Sequence, residues 1–281
     1  MKRLLILSFA LMAIVGCSKQ AEVRVATFNI RFNSAEDAKT GDSWHERKES
    51  VAEVILSHDF DIVGTQEGSK RQIADLLSLM PDYDCIGHPY GGSSGELHTA
   101  TTFYKRDKLE LLDEGTFWYS PTPEVKSKGW DATDLRLCHW GKFRDKASGR
   151  EFFFFNSHLF WRLEVARSMS GKVLVDQVRK IAGDKPVIAV GDYNSREETP
   201  QVKDILSLLR DAYTVSETAP TGPVNTDLGG GNFLGPAKAR IDYLFVSDHV
   251  RVKDYTVIDD KRENGHYPSD HLPIVCSVEI E

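Results

Sequence analysis

LRLCHWGKFR (135–144), KASG (146–149) and EFFFFNSHL (151–159) carry the clearest local signal in the chain. Leu135–Arg144 and Glu151–Leu159 have strand length and strand residues, and the Lys-Ala-Ser-Gly turn between them predicts an antiparallel hairpin. The period then changes. Val165, Met169, Val173 and Val178 mark a helix, and Pro186–Val190 is an apolar run of the kind that forms a buried strand. A hairpin pairs strands antiparallel, whereas a strand–helix–strand unit pairs them in parallel, so a chain containing both builds mixed sheets.

The flanking sequence extends this pattern in both directions. Glu22–Ile30 (EVRVATFNI) reads as a strand, and Ser43 is placed to cap a helix from Trp44 to about Ser57 with Val51, Val54 and Ile55 on one face. Asp61–Gln66 is a short apolar strand, and Ile73, Leu76, Leu77 and Met80 mark a second helix. Further strands are predicted at Thr99–Tyr104, Leu109–Phe117, Arg240–Val246, Val250–Val257 and Ile274–Ile280, with a helix around Val202–Leu209. No linker divides residues 23–281, so one domain is expected. The fold class is α/β (α+β), two mixed β-sheets packed face to face with helices outside.

The 281 residues carry 41% hydrophobic and 27% charged side chains, an ordinary globular balance. The net charge of −7 is a poor match to a long nucleic-acid backbone, whose binding rests on Lys and Arg. Nucleic acid is therefore an admissible partner that charge does not favour. At the N-terminus, Lys2 and Arg3 precede the apolar run Leu4–Val15, too short to span a bilayer and of signal-peptide length. Ile14-Val15-Gly16-Cys17 resembles the lipobox of bacterial lipoproteins. On that resemblance residues 1–16 are a signal peptide, Cys17 is lipidated, and residues 17–22 are a short tether. The chain would be exported and lipid-anchored at a bacterial membrane, on the periplasmic face or cell surface. Plain signal cleavage beside an incidental Cys is the alternative.

Cys85, Cys138 and Cys276 remain, with no spacing that suggests zinc. Buried thiols are the expected state for Cys138 and Cys276, although two of the three could be bridged in an oxidising compartment. The glycine-rich segments Gly91–Gly95 and Gly229–Gly231 lack the following Gly-Lys-Ser/Thr of a phosphate-binding loop. Together with Ser120–Gly129 and Pro220–Gly235 they read as rims of a site or as connections. A monomer is expected.

Polar residues recur where strands end: Asn29, Glu67, Asp192 and Asn194, and the Asp270-His271 pair before the last strand. Glu67, Asp192 and Asp270 with the Asn29 amide form an all-oxygen set, which suits Mg²⁺, with Mn²⁺ or Ca²⁺ as alternatives. Each could instead be a turn or cap residue. Asp242 stands out more, because a carboxylate inside the apolar run Ile241–Val246 needs a partner, and His271 is a natural one. His158, in Phe152–Leu159, is either a site residue or a hydrogen-bonded core histidine.

Six segments resemble, in order, those of the endonuclease/exonuclease/phosphatase superfamily: Thr27-Phe28-Asn29-Ile30, Thr65-Gln66-Glu67, Asn156-Ser157-His158, Gly191-Asp192-Tyr193-Asn194, Arg240-Ile241-Asp242-Tyr243 and Ser269-Asp270-His271-Leu272-Pro273. The resemblance covers nearly all of Val23–Glu281 and implies a DNase I-like four-layer αββα sandwich. It also implies a metal-dependent phosphoesterase that hydrolyses phosphate mono- or diesters by in-line attack of water. Asn29 and Glu67 then resemble metal-site residues, with Asp270 in or near that site. Asp192 and Asn194 resemble the pair that positions water and phosphate, His271 oriented by Asp242 the catalytic histidine, and His158 a second histidine on the phosphate.

Trp44 through Arg47, Thr116-Phe117-Trp118 and Gly129-Trp130-Asp131 resemble a bacterial branch of that family, often lipoproteins. The chain departs from the branch in two places. Leu159-Phe160-Trp161 stands where the branch has Phe-Asp-His, and His98 stands where it has Glu, with Glu96 displaced by two. Phe160 and Trp161 suggest a more apolar rim, for a sugar face, base or lipid, or simple loop packing. Arg31, Arg136 and Trp161 are candidates for substrate binding, since the Arg fork matches phosphate oxygens. A small phosphorylated molecule is favoured as substrate. A nuclease, a sphingomyelinase- or phospholipase C-like activity, and a non-catalytic glycan- or protein-binding lipoprotein are the competing readings.

Overall fold

The computed structural model describes residues 21–87 and 99–281. Cys17, the signal segment, the Gly91–Gly95 loop and the Glu96/His98 position lie outside the described residues.

The elements run β1 (Ala21–Asn29), α1 (Trp44–Ser57), β2 (Ile62–Gly68), α2 (Lys70–Leu79), β3 (Tyr83–Ile86), β4 (Thr99–Lys105), β5 (Leu109–Trp118), β6 (Leu137–Asp145), β7 (Glu151–His158), α3 (Glu164–Ala182), β8 (Val187–Asp192), α4 (Pro200–Leu206), β9 (Arg210–Asp211), α5 (Ala212–Val215), β10 (Asp242–Val246), β11 (Val250–Val252), β12 (Thr256–Val257) and β13 (Ile274–Ile280). They build two mixed sheets. One has the order β11-β13-β1-β2-β4-β3, with β12 also paired to β13, and the other β5-β6-β7-β8-β10-β9. The expected hairpin is β6–β7, and the parallel unit that follows is β7–α3–β8.

Three apolar clusters define the layers. Val23, Val25 and Ile62 of the first sheet meet Phe152, Phe154, Ile188 and Val190 of the second between the sheets. Val51, Val54 and Ile55 of α1 and Leu76 of α2 cover the outer face of the first sheet. Val173, Leu174 and Val178 of α3 and Val202 and Ile205 of α4 cover Phe153 and Phe155 of the second. Successive Phe residues of β7 thus alternate between the two buried faces, as strand geometry requires. The result is the expected α/β sandwich.

The structure shifts some details. Val165 is 47% exposed, and α3 instead buries Ala166, Ser170 and Gly171 near its start. Close approach is the reason: a Cβ on Gly171 would lie 2.1 Å from the Gln201 carbonyl oxygen. The predicted strand Val250–Val257 is split into β11 and β12, both paired to β13. Cys85, Cys138 and Cys276 are free thiols, the last two buried. No helix among the described residues is long and apolar enough to cross a membrane.

Candidate active site

β1, β2, β7 and β8 end at one edge of the sandwich, and β10 begins there. Register makes this specific: Asp192 pairs with His158 of parallel β7 on one side and with Asp242 of antiparallel β10 on the other. Asn29 pairs with Gln66, next to Glu67, in the facing sheet. Gly191 permits the tight approach beneath Asp192. Its φ is 150°, and a Cβ there would lie 2.0 Å from the Ser157 carbonyl oxygen.

A polar clamp joins the sheets below this edge. Asn156 Nδ2 donates to the carbonyls of Thr65 and Thr101, both at 3.1 Å, and its Oδ1 accepts from Gln66 Nε2 at 2.8 Å. Two residues of the sequence motifs therefore hold the layers together rather than face a substrate. Burial makes such a network specify a single sheet-to-sheet arrangement.

Asp192 is the hub. Its Oδ1 accepts from the Asn194 amide at 2.8 Å and its Oδ2 from Asn29 Nδ2 at 3.0 Å. His158 Nε2 lies 3.4 Å from that Oδ2 and His271 Nε2 3.9 Å from it. Asn29 Oδ1 accepts the Arg31 amide at 3.0 Å, which fixes the amide orientation and turns the Asn29 N–H toward Asp192. Burial and the neighbouring Asp242 push the Asp192 carboxyl up to about 7.

His271 is oriented from behind. Its Nδ1 lies 2.9 Å from Asp242 Oδ2, which also accepts from Thr226 Oγ1 at 2.6 Å. Burial disfavours the imidazolium, but Asp242, Asp192 and Asp270 outweigh it and hold the proton well above the usual histidine range. Its Nε2 is left facing Asp192 and, at 3.9 Å, Asp227 Oδ1. Thr226 and Asp227 were not singled out from sequence. They lie in the Pro220–Gly235 rim, whose composition signals a loop and nothing about which side chains point inward.

On the other flank, Glu67 adopts a φ of 68°, and its Oε2 accepts the Phe32 amide at 3.1 Å. A left-handed backbone at a non-glycine residue is costly, and it aims this side chain off the end of β2. Asp270 Oδ2 accepts the Gly231 amide at 2.6 Å and lies 3.6 Å from Arg31 Nη1. Burial raises the Asp270 carboxyl, and Glu67 adds repulsion to both Asp270 and Asp192.

Glu67, His158 and Asp192 offer ligand atoms within 4.8 Å of one another, as do Asp192, Asp242 and His271. Asp242 Oδ1 is buried without a hydrogen-bond partner among the described residues. An acid-rich, mutually repelling and partly orphaned donor set fits a hard divalent cation.

The remaining candidates divide. Arg31 is at the site, but its Nε and Nη2 donate to Asp37 at 3.1 and 3.2 Å, so much of its fork is already engaged. Arg136 and Trp161 are together in a separate cavity beside the site. Asn194, with a φ of 49°, donates from Nδ2 to the Leu159 carbonyl at 3.1 Å.

Solved structures agree with this architecture. An endonuclease/exonuclease/phosphatase family protein from Bacteroides thetaiotaomicron is 32% identical, covers 94% of this chain and 99% of its own, and superposes with a TM-score of 0.87. A mannosyl-6-phosphatase from Bacteroides thetaiotaomicron VPI-5482 is 34% identical over 91% of this chain and 99% of its own, with a TM-score of 0.84. Nocturnin from Drosophila melanogaster is 26% identical over 85% of this chain, which spans only 42% of that protein's length. Residues 26–271 match the Endonuclease/Exonuclease/phosphatase family along almost the whole described domain, and the chain belongs to that family.

Proposed function

We propose that this protein is a metal-dependent phosphoesterase acting on a small phosphorylated substrate, with a phosphosugar the favoured class. The convergence of Glu67, His158, Asp192, Asp242 and His271 in two ligand clusters sharing Asp192 carries this reading. The likeness to a mannosyl-6-phosphatase and the net charge of −7 both favour a small ester over duplex DNA.

Glu67 and Asp192 would hold the cation, with Asn29 and Asp270 bordering it; Mg²⁺ is the favoured ion. When bound, such an ion supplies Lewis acidity and offsets charge on the phosphate oxygens. The chain's own groups do the rest. Asp242 fixes the His271 tautomer so that Nε2 faces the phosphate and offers it a proton-bearing donor. Asp192, held by the Asn194 amide and the Asn29 side chain, is placed to orient the attacking water. His158 adds a second donor beside Asp192, and Asn194 sets the Asp192 carboxylate through its amide.

The test is hydrolysis of a phosphomonoester, phosphodiester, sphingomyelin and DNA panel with Mg²⁺ or chelator, by wild type, Asp192→Ala and His271→Ala. Mg²⁺-dependent turnover lost in both variants is expected. No activity on any substrate, or equal activity in all three proteins, sinks the reading.

Export and lipid anchoring through Cys17 form a separate part of the proposal, supported by the Lys2-Arg3, Leu4–Val15, Gly16-Cys17 sequence alone. Cys17→Ser should move the protein from the membrane to the soluble fraction; an unchanged distribution counts against an anchor.

A further inference from the structure

Arg136 is a buried cation with no ion-pair partner among the described residues. It lies one residue before β6, is 9% exposed, and has its Nη1 buried without a hydrogen-bond partner. It lines a cavity of about 200 Å³ with Asp134, Phe160, Trp161, Arg162 and Leu163. Arg162 brings a second guanidinium, held 3.6 Å from the centroid of the Trp161 ring. Asp134 is exposed, accepts from Thr133 Oγ1 at 3.2 Å, and is the one acid lining the cavity among the described residues. Two guanidinium groups, that of Arg162 exposed, face one carboxylate among the described residues, which leaves this cavity of mixed polar and apolar lining with a deficit of negative charge, and a buried unpaired charge such as that of Arg136 is unfavourable.

The cavity is next to the catalytic edge and distinct from it. Cys138 and Phe160 pack with Phe153 and Phe155 on the helix face of the second sheet. Phe152 and Phe154 pack between the sheets, and the two-residue period puts Asn156 and His158 on that inner side. Arg136, two residues before Cys138, shares the helix side. The link is short. Leu159 donates its amide to the Asp192 carbonyl at 2.9 Å and accepts Asn194 Nδ2 at 3.1 Å, and the next residue, Phe160, walls the cavity.

We propose that this cavity is a subsite for a second oxyanion, phosphate or carboxylate, carried by the leaving part of the substrate. The planar Arg136 fork would bind it, with Arg162 as a second donor and Phe160 and Leu163 excluding water. The proposal rests on the phosphoesterase reading for the neighbouring phosphate and narrows the substrate class to small phosphoesters that bear another acidic group.

The intact chain carrying His271→Ala, slowed for turnover, is titrated calorimetrically in Mg²⁺ buffer with two matched pairs. Fructose 1,6-bisphosphate is compared with fructose 6-phosphate, and 6-phosphogluconate with glucose 6-phosphate. At least tenfold tighter binding of one doubly acidic member is expected, and which pair shows it tells phosphate from carboxylate. Adding Arg136→Gln should abolish that preference while leaving the melting temperature equal or higher, since an unpaired buried charge has been removed. Equal binding within both pairs, binding of no member, a preference that survives Arg136→Gln, or a melting temperature lowered by several degrees overturns the proposal. A clear Arg136-dependent preference in a wild type that hydrolyses no ester supports the subsite and sinks the phosphoesterase reading alone.

Discussion

Arg47→Met removes the side chain that ties α1 to both loops flanking the site. Arg47 is fully buried; Nε donates to the Asp42 carbonyl at 3.0 Å, and Nη1 to Ile30 at 2.7 Å and Pro268 at 3.0 Å. Nη2 donates to Arg31 at 2.9 Å and Phe32 at 3.4 Å, and the rings of Trp44 and Phe233 each lie 5.3 Å away. Burial outweighs the pull of Asp270 and Asp37 and lowers its proton affinity from 12.5 to about 10. That shift corresponds to roughly 3 kcal/mol of uncompensated desolvation, which Met would relieve. Against it stand these carbonyls, each losing a donor at ~1–3 kcal/mol. At the lower figure the loss is about 5 kcal/mol, so the net destabilisation should be about 2 kcal/mol or more. With a urea slope of about 2 kcal/mol/M, the unfolding midpoint should fall by about 1 M. Because Ile30, Arg31 and Phe32 follow Asn29 and Pro268 precedes Asp270 by two residues, kcat should also fall by about 10–100-fold. Arg47→Lys, with charge but no fork, should fall between wild type and Met. A Met variant with an unchanged midpoint and kcat within about twofold of wild type would refute this account.

Asp242→Asn keeps the shape of the His271 partner but removes its charge, so kcat should drop by about 10²–10⁴-fold and the imidazole should titrate at lower pH; a pH–rate profile superimposable on wild type argues against the pairing. In chelator, stability should fall as pH rises from about 4 to 7, because Asp192 is raised to about 7 and the folded state then binds a proton that the unfolded state has released. His271 acts in the same direction: its raised folded value gives a stabilisation complete at low pH and lost as pH climbs through that value. A melting temperature that rises from about pH 4 to 7 in metal-free buffer contradicts the Asp192 sign, and one that rises above about pH 7 contradicts the His271 sign. Gly64→Ala would place a Cβ 2.5 Å from Val190 Cγ2 and 2.8 Å from Asn156 Cγ, wedging the sheets apart at the clamp. A loss of about 1–3 kcal/mol by chemical denaturation is expected, and an unchanged midpoint would show that the interface can give way.

Local pattern sufficed wherever one face of an element is buried. α1 and β13 have the predicted limits, and the Lys-Ala-Ser-Gly turn is the β6–β7 connection. Short pieces such as β3, β9 and α5 went unseen, since a few residues carry no period. The helix α3 was found but its face was rotated, because its buried start uses Ala, Ser and Gly to let α4 approach.

For the site, residue type and order were enough to show the kind of chemistry: acids, amides and histidines at strand ends, in an order that pointed to one family. It also suggested that Asp242 needs His271, because a carboxylate in an apolar strand must be paired. Which of these groups meet is a property of the folded chain. Register across β7, β8 and β10 makes Asp192 the shared centre, and the clamp of Gln66 and Asn156 separates motif residues that hold the sheets from those that gather around Asp192. Thr226 and Asp227 enter from a loop that composition cannot orient, and Arg31 is spent on Asp37 while Arg136 has no partner among the described residues. Pairing of charges is a long-range property of the folded chain, and residue type and spacing do not encode it.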